Sequence, residues 1–193
     1  MYEFIKGKIA EITPAEVIIE TESIGYFIHI SLNTYSQINK QEEVKLFLHQ
    51  VVREDAQMLF GFAEKSEREL FRMLISVSGI GAGTAVMMFS SLSPNDIKKA
   101  ILEENVGVLK SIKGIGAKTA QRVIIDLKDK IGKSSVGDQI FINGSNTVFE
   151  EASSALVMLG FAKKNINKEL TTLMQKNPNV SVEELVKIAL KSL

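Results

Sequence analysis

The feature that most constrains this chain is a turn written twice. Residues 78–85 read Ser-Gly-Ile-Gly-Ala-Gly-Thr-Ala and residues 113–120 read Lys-Gly-Ile-Gly-Ala-Lys-Thr-Ala, a repeat 35 residues apart with six of eight positions identical. Apolar-periodic segments flank each copy. Leu70, Leu74 and Ile75 precede the first, and Ala85, Val86, Met88 and Phe89 follow it. Val106, Val108, Leu109 and Ile112 precede the second, and Ala120, Val123, Ile124 and Leu127 follow it. The spacing predicts helix, Gly-Ile-Gly turn, helix, made twice. Two helices meeting in a tight hairpin need backbone angles that a Cβ opposes and glycine accepts. The central Ile80 or Ile115 then points inward and pins the hairpin.

The second helix of each pair starts just after the glycines, with unpaired N–H groups and the positive end of its dipole facing out. Such an end is an anion site, and phosphate is its common occupant. Without side chains at Gly79, Gly81, Gly114 and Gly116, a nucleic-acid backbone approaches closely, while Lys118 adds a point charge and Thr119 a hydroxyl. The plain alternative is a helix–helix turn and nothing more; two near-identical copies, one with a lysine just past the turn, favour phosphate binding. The pattern resembles the helix-hairpin-helix motif of non-sequence-specific DNA-binding proteins. A dinucleotide fingerprint is the weaker alternative, because Gly-x-Gly-x-x-Gly does not occur and no strand precedes either turn. A P-loop is excluded by spacing. Where the second hairpin has Lys118 the first has Gly83, so the first is the weaker electrostatic anchor.

The 193 residues carry no cysteine, which removes disulfides and thiolate metal sites and fits a reducing, cytoplasmic setting. Two histidines, His29 and His49, are too few for a metal centre, and no cofactor is expected. No apolar run approaches a membrane span, and the first residues are not a signal peptide. Net charge is zero but unevenly spread: 5 basic against 9 acidic side chains in residues 1–62, 11 against 8 in 63–132, and 7 against 6 in 133–193. The positive surplus coincides with the paired turns, the footprint of a polyanion binder.

Residues 1–62 read as a small β domain, with strands expected at Glu3–Ile9, Ala15–Glu20, Ile24–Ile30, Val44–Val52 and Gln57–Phe62. Pro14, Thr21–Ser23, Asn33–Glu43 and Arg53–Ala56 separate them. Gly25 inside a strand predicts a bulge or bend. Five strands in such a length fit an OB-type barrel. The last turn presents Glu54 and Asp55. A solvated hairpin tip is the plain reading; in a DNA-binding protein paired carboxylates would also repel phosphates, as a wedge or spacer.

In residues 63–132 an amphipathic helix is expected from Glu64 to Ile75, and another behind Ser93 as N-cap and Pro94 in its first turn. Met87 and Met88 are expected in the core. Residues 133–147, rich in Gly, Ser and Asn, read as a flexible tether with an unassigned apolar island at Ile140–Ile142. Residues 148–193 read as three short helices. The first is Phe149–Leu159, with Gly160 as its C′ residue. Asn165 or Asn167 caps the second, Asn177-Pro178 stops it, and Ser181 to Glu184 is a capping box for the third. Leu159-Gly160-Phe161 resembles the turn of ubiquitin-associated-like three-helix domains.

The order of parts, with Val51 to Phe62 and both hairpins in place, resembles the RuvA family, the Holliday-junction-binding subunits of bacterial branch-migration complexes. The fold this implies is a multidomain α+β protein: a five-stranded OB-type barrel, an all-α tandem helix-hairpin-helix domain and a UBA-like three-helix domain. The resemblance implies a homotetramer, or two tetramers face to face as an octamer, holding a four-way DNA junction open and square-planar. Its phosphate contacts fall on the hairpin residues named above, completed by Gly83, Thr84 and Arg122. Glu54 and Asp55 correspond to acidic pins. The chain is then not itself an ATPase; it recruits the hexameric RuvB motor through its last domain, at Leu159, Gly160 and Phe161, and shares a complex with the RuvC resolvase in recombination and DNA repair. Gly83 departs from many relatives, which carry lysine there. Two other readings stand beside it, a helix-hairpin-helix DNA glycosylase or lyase, for which no carboxylate stands at the expected place since Asp138 lies in the tether, and a general single-strand binder stacking bases on Tyr26 and Phe47.

Overall fold

The computed structural model describes residues 2–137, 144–177 and 180–192. The chain divides into two compact units, Met1–Gly132 and Lys133–Leu193.

The first unit opens with strands β1 (Phe4–Ile12), β2 (Glu16–Thr21) and β3 (Ile24–Ile30), then a short helix α1 (Leu32–Ile38), then β4 (Glu43–Val52) and β5 (Gln57–Phe62). The strands close into a barrel in the order β1-β2-β3-β5-β4. Neighbours are antiparallel apart from β3 and β5, which pair parallel at His29–Phe60 and Ile30–Gly61. Alternation explains the inside: Ile5, Val17, Ile19, Ile28, Ile30, Val44, Leu46 and Leu48 form one buried cluster with Ile38 of α1. Gly7 is required by close approach, since a Cβ there would stand 2.3 Å from the carbonyl oxygen of Glu20.

Two expectations are corrected. Gly25 pairs in register with Glu20, and the bulge lies instead at Ala10, where the β1–β2 register shifts between Ile9 and Glu11. That bulge lets β1 continue to Ile12, beyond the expected end at Ile9. The predicted break at Asn33–Glu43 contains α1, whose N-cap Ser31 accepts a hydrogen bond from the Thr34 N–H at 3.1 Å. At seven residues α1 is too short for a helical period to show, and its cap and packing hold it.

Helices α2 (Lys65–Ile75), α3 (Ala82–Ser91), α4 (Pro94–Leu102), α5 (Val106–Lys110) and α6 (Ala117–Gly137) follow. Ser93 caps α4 through the Asp96 N–H, as expected, and Asn105 caps α5 through the Val108 N–H. The last barrel strand feeds this core directly: Phe60 and Phe62 are buried with Leu70, Phe71 and Leu74. Phe71 packs its ring 5.5 Å from Phe60 and 4.8 Å from Phe62. Barrel and helices therefore share a core across a joint of only two residues, Ala63 and Glu64. Met88 is fully buried, as expected, but Met87 is 42% exposed. The two point in different directions because consecutive helix positions lie about 100° apart.

Beside the aromatic contact, α2 buries two charged side chains in succession. Glu67 and Arg68 are each 1% exposed. Glu67 accepts hydrogen bonds from Asn33 Nδ2 at 3.1 Å, from Thr34 Oγ1 at 3.3 Å and from Ser31 Oγ at 3.4 Å, all at the start of α1. Arg68 turns the other way and donates to the carbonyls of Glu3 (2.8 Å) and Leu48 (3.4 Å) and to the Glu3 carboxylate. Burial away from water raises the Glu67 pKa from the usual 4.5, and the donors from Asn33, Thr34 and Ser31 offset this only in part.

In the second unit α7 (Gly144–Met158), α8 (Lys163–Lys176) and α9 (Val182–Ser192) bury Ala152, Leu156, Ile166, Leu170, Leu185 and Ala189. Gly160, at φ 97°, ends α7 as expected: its N–H meets the Val157 carbonyl at 3.0 Å and the Phe161 N–H meets the Leu156 carbonyl at 3.2 Å. The Ser181 cap is also present, through the Glu184 N–H. The expected caps at Asn165 or Asn167 are not: α8 starts earlier, behind Ala162, without a side-chain cap. The segment 133–147, read as a flexible tether, is helical at both ends, as the tail of α6 to Gly137 and the start of α7 at Gly144. Ser, Asn and Gly are poor initiators of an isolated helix, yet one already nucleated extends through them at little cost. Asp138, the Ile140–Ile142 island and Pro178 lie outside the described residues.

The raised Glu67 pKa sets a pH dependence. A carboxyl that holds its proton more tightly folded than unfolded contributes stability below the unfolded value, and that contribution is lost as pH rises through the folded value. Glu67→Gln should remove this dependence. The melting temperature of the variant minus that of the wild type is expected to grow between pH 4.5 and neutrality; a constant difference would show that the buried carboxylate carries no such cost.

Candidate nucleic-acid interface

The two glycine turns are built nearly alike, differing in one bond of the cap residue, which reaches three residues back at Ser76 and four at Ser111. After α2, Ser76 N–H donates to Met73 O and Leu74 O, Val77 N–H to Leu74 O, and Ile80 N–H to Val77 O. After α5, Ser111 N–H donates to Gly107 O and Leu109 O, Ile112 N–H to Leu109 O, and Ile115 N–H to Ile112 O. Gly79 and Gly114 occupy the left-handed region at φ 96° and 90°. This reversal sends Val77, Ile80, Ile112 and Ile115 inward, all at most 5% exposed. It also turns the glycines to solvent.

What faces outward is backbone. In α3 the first intrahelical bond is Ala85 N–H to Gly81 O, and in α6 it is Ala120 N–H to Gly116 O. The three N–H groups before each have no intrahelical acceptor. Ser31, Ser93 and Asn105 fill that need at α1, α4 and α5. Gly81 and Gly116 have no side chain to do so, and α3 has no side-chain cap. A Cβ built on Gly81, Gly83, Gly114 or Gly116 would meet nothing within 4 Å. Each helix thus starts with open donors and clear space before them, the geometry that accepts an oxyanion.

The hairpins lie against each other. A Cβ at Gly79 would stand 3.7 Å from Thr119 Oγ1 of the second hairpin. Gly79, Gly81, Gly83, Gly114, Gly116, Lys118 and Arg122 are exposed, and Thr84 and Thr119 are half-buried. Arg122 follows Lys118 by one turn of α6, so both project along one edge. Lys110 and Lys113, which sequence reasoning left out of the site, are exposed beside them. Among the described residues none of these four cations forms an ion pair. Lys128, further along α6, is engaged: it bonds Glu104, whose carboxylate this contact holds below the ordinary range.

The acidic pair sits elsewhere on the same unit. Arg53 N–H bonds Ala56 O at 2.8 Å, which closes the β4–β5 hairpin and leaves Glu54 and Asp55 exposed at its tip. From that tip β5 leads through the joint into α2 and so to the first glycine turn. Of the single-strand candidates, Tyr26 packs against the barrel core. Phe47 lies on the outer face opposite Phe4, with Lys45 Nζ 4.2 Å above the Phe4 ring centroid. In the C-terminal unit Leu159 is 59% exposed, whereas Phe161 is half-buried against the core. The apolar surface there continues instead into Met158, 88% exposed, and Val157.

Comparison with known proteins decides the family. Residues 1–61 match the RuvA N terminal domain, 71–129 the SAM-like helix-hairpin-helix tandem, and 147–193 the RuvA C-terminal domain. The chain is 50% identical over 193 residues to a protein of Christiangramia forsetii, all of both chains being covered. It is 49% identical to one of Flavobacterium psychrophilum over the same length, and 46% identical to one of Bacteroides thetaiotaomicron over 201 aligned positions, again with both chains fully covered. The chain belongs to the RuvA family. The three relatives are each named Holliday junction branch migration complex subunit RuvA. This removes the glycosylase reading. The barrel and paired hairpins are the OB and helix-hairpin-helix parts of RuvA.

The left-handed glycines make a stability contrast. Gly114→Ala forces a Cβ into a backbone that disfavours it by about 1–2 kcal/mol. At Gly116 the neighbourhood is equally open without positive φ. Thermal melts are expected to place Gly114→Ala several degrees below wild type and Gly116→Ala at or slightly above it; equal melting points would mean that the reversal is not what holds the turn.

Proposed function

We propose that this chain binds four-way DNA junctions through backbone phosphates, independently of base sequence, and brings a RuvB ATPase ring to them. The observation that carries the reading is the pair of abutting, side-chain-free helix starts, each with open N–H donors, together with an acidic tip on the same compact unit. The hairpin residues Gly79, Gly81, Gly83, Thr84, Gly114, Gly116, Lys118, Thr119 and Arg122 grip phosphates, which fix position and carry no sequence information. Glu54 and Asp55 repel phosphates at the crossover, so the strands are led outward into the arms. Four copies around the junction place one pair of hairpins on each arm, and a second tetramer would cover the other face; one open face leaves RuvC access. The exposed apolar surface at Val157, Met158 and Leu159 serves the motor, while Gly160 and Phe161 shape it from beneath. Hydrolysis of ATP belongs to RuvB, and the setting is the bacterial cytoplasm during recombination and repair.

Affinities for a four-way junction, a duplex and a single strand, measured at one stated salt concentration, test the reading; equal affinity for junction and duplex would refute it. Lys118→Ala should weaken binding to every sequence alike and reduce the slope of log affinity against log salt by about one phosphate's share. A slope unchanged within error would remove Lys118 from the interface.

The tip makes a separate prediction. Glu54→Gln with Asp55→Asn removes the repulsion and keeps the shape, so junction affinity should hold or rise while RuvB-driven branch migration changes in rate. A large loss of junction binding would mean the carboxylates attract something rather than repel it.

A further inference from the structure

Two adjacent buried charges, Glu67 and Arg68, are used by nothing in the interface described above. An acidic side chain buried without a cation is costly, and burial of this kind is best attested where it fixes one arrangement among several. What these two residues touch says which arrangement. Glu67 reaches the start of α1 through Ser31, Asn33 and Thr34. Arg68 reaches Glu3 and Leu48, on the other side of β5 from the β3 end that leads into α1. Neighbouring helix positions point about 100° apart, so the two contacts together oppose both rolling and sliding of α2. The aromatic packing of Phe60, Phe62 and Phe71 alone is less directional, and aromatic pairs tolerate a range of geometries. A further bond, Leu32 N–H to Ser90 Oγ at 3.1 Å, ties the same α1 to α3.

We infer that Glu67 and Arg68 are positioning residues, a two-sided latch that holds the acidic tip at Glu54 and Asp55 in register with the glycine hairpins. The inference rests on the junction-binding reading. Tip and hairpins lie on opposite sides of the joint at Ala63 and Glu64. The 11 residues of α2 span about 16 Å, so a 10° tilt at the joint moves the far end by about 3 Å, the length of a hydrogen bond. A duplex needs only the hairpins. A junction needs hairpins and tip together, and so reads their separation.

The absence of cysteine permits a direct test in the full chain. Asp55→Cys and Lys113→Cys carry spin labels, with labelled chains diluted in unlabelled ones so that distances within one chain are read. Glu67→Ala is expected to broaden or shift the distance distribution. It should also lower the ratio of junction to duplex affinity by roughly three- to thirtyfold, the span over which residues remote from a ligand alter binding, with duplex affinity retained. Thr34→Val removes the hydroxyl that meets both Glu67 oxygens and should do the same from the barrel side, which keeps the test open if Glu67→Ala does not fold. Glu67→Gln keeps the acceptor and should restore wild-type distances and ratio. Unchanged distances in Glu67→Ala or Thr34→Val, or equal losses on junction and duplex, would overturn the latch. If the wild type itself shows no junction preference, the functional reading fails, and the label distances still decide the latch.

Discussion

The helical domain depends on one backbone angle taken twice. At Gly79 and Gly114 the chain enters the left-handed region, and everything around those points follows. The reversal buries Val77, Ile80, Ile112 and Ile115, and this anchors each turn to the core. The same reversal aims the next helix's unpaired N–H groups at solvent. Stability and binding capacity are thus two sides of one conformational choice. A side chain at the outward glycines would be tolerated by the fold, since the space is open, but it would stand between the donors and any phosphate.

That interface would be of little use for a branched substrate if the barrel could swing. The shared core of Phe60, Phe62 and Phe71 keeps the joint closed through apolar burial. Apolar burial supplies free energy but little direction. The buried polar contacts of α2 have the opposite character. Glu67 costs stability, as its raised pKa records, and offers geometry. Arg68 meets the carbonyls of Glu3 and Leu48 and the carboxylates of Glu3 and Glu69, though its Nε finds no partner among the described residues. A protein selected for stability alone would carry apolar residues at both positions.

The sequence revealed the turns, the strands and most caps because each leaves a local mark. Gly-Ile-Gly repeats, period-two alternation, and a serine followed by a proline all act within a few residues of themselves. What it hid was settled at a distance. Lys65-Ser-Glu-Arg-Glu69 reads as the solvated face of an amphipathic helix, and only the position of α1 and β1 makes two of those charges internal. The bulge fell at Ala10 and not near Gly25 because barrel closure, rather than the local residue, decides where a strand must bend. Helix in 133–137 and 144–147 was missed because composition argues about initiation, while those residues lie at the ends of helices already formed. The exposure of Met158 also leaves no local mark: the tight end of α7 turns Phe161 toward the core and leaves Met158 outside.

The hairpins, alike in backbone, differ in charge, and the difference has a consequence for a junction that must move. Shifting by the repeat distance, Gly83 and Met87 of α3 take the places of Lys118 and Arg122 of α6. The first helix start therefore offers amide donors, dipole and the Thr84 hydroxyl but no cation, and their reach is one turn. The second adds two cations that form no ion pair among the described residues, and their attraction extends about a Debye length and is screened by salt. In the junction-binding reading, one grip on each arm is short-ranged and geometric, and its neighbour is longer-ranged and tolerant of position. A phosphate leaving the first site remains within the field of the second. In that reading such a pair would hold a sliding backbone without fixing its register, and the positive surplus of residues 63–132 lies where the paired turns are.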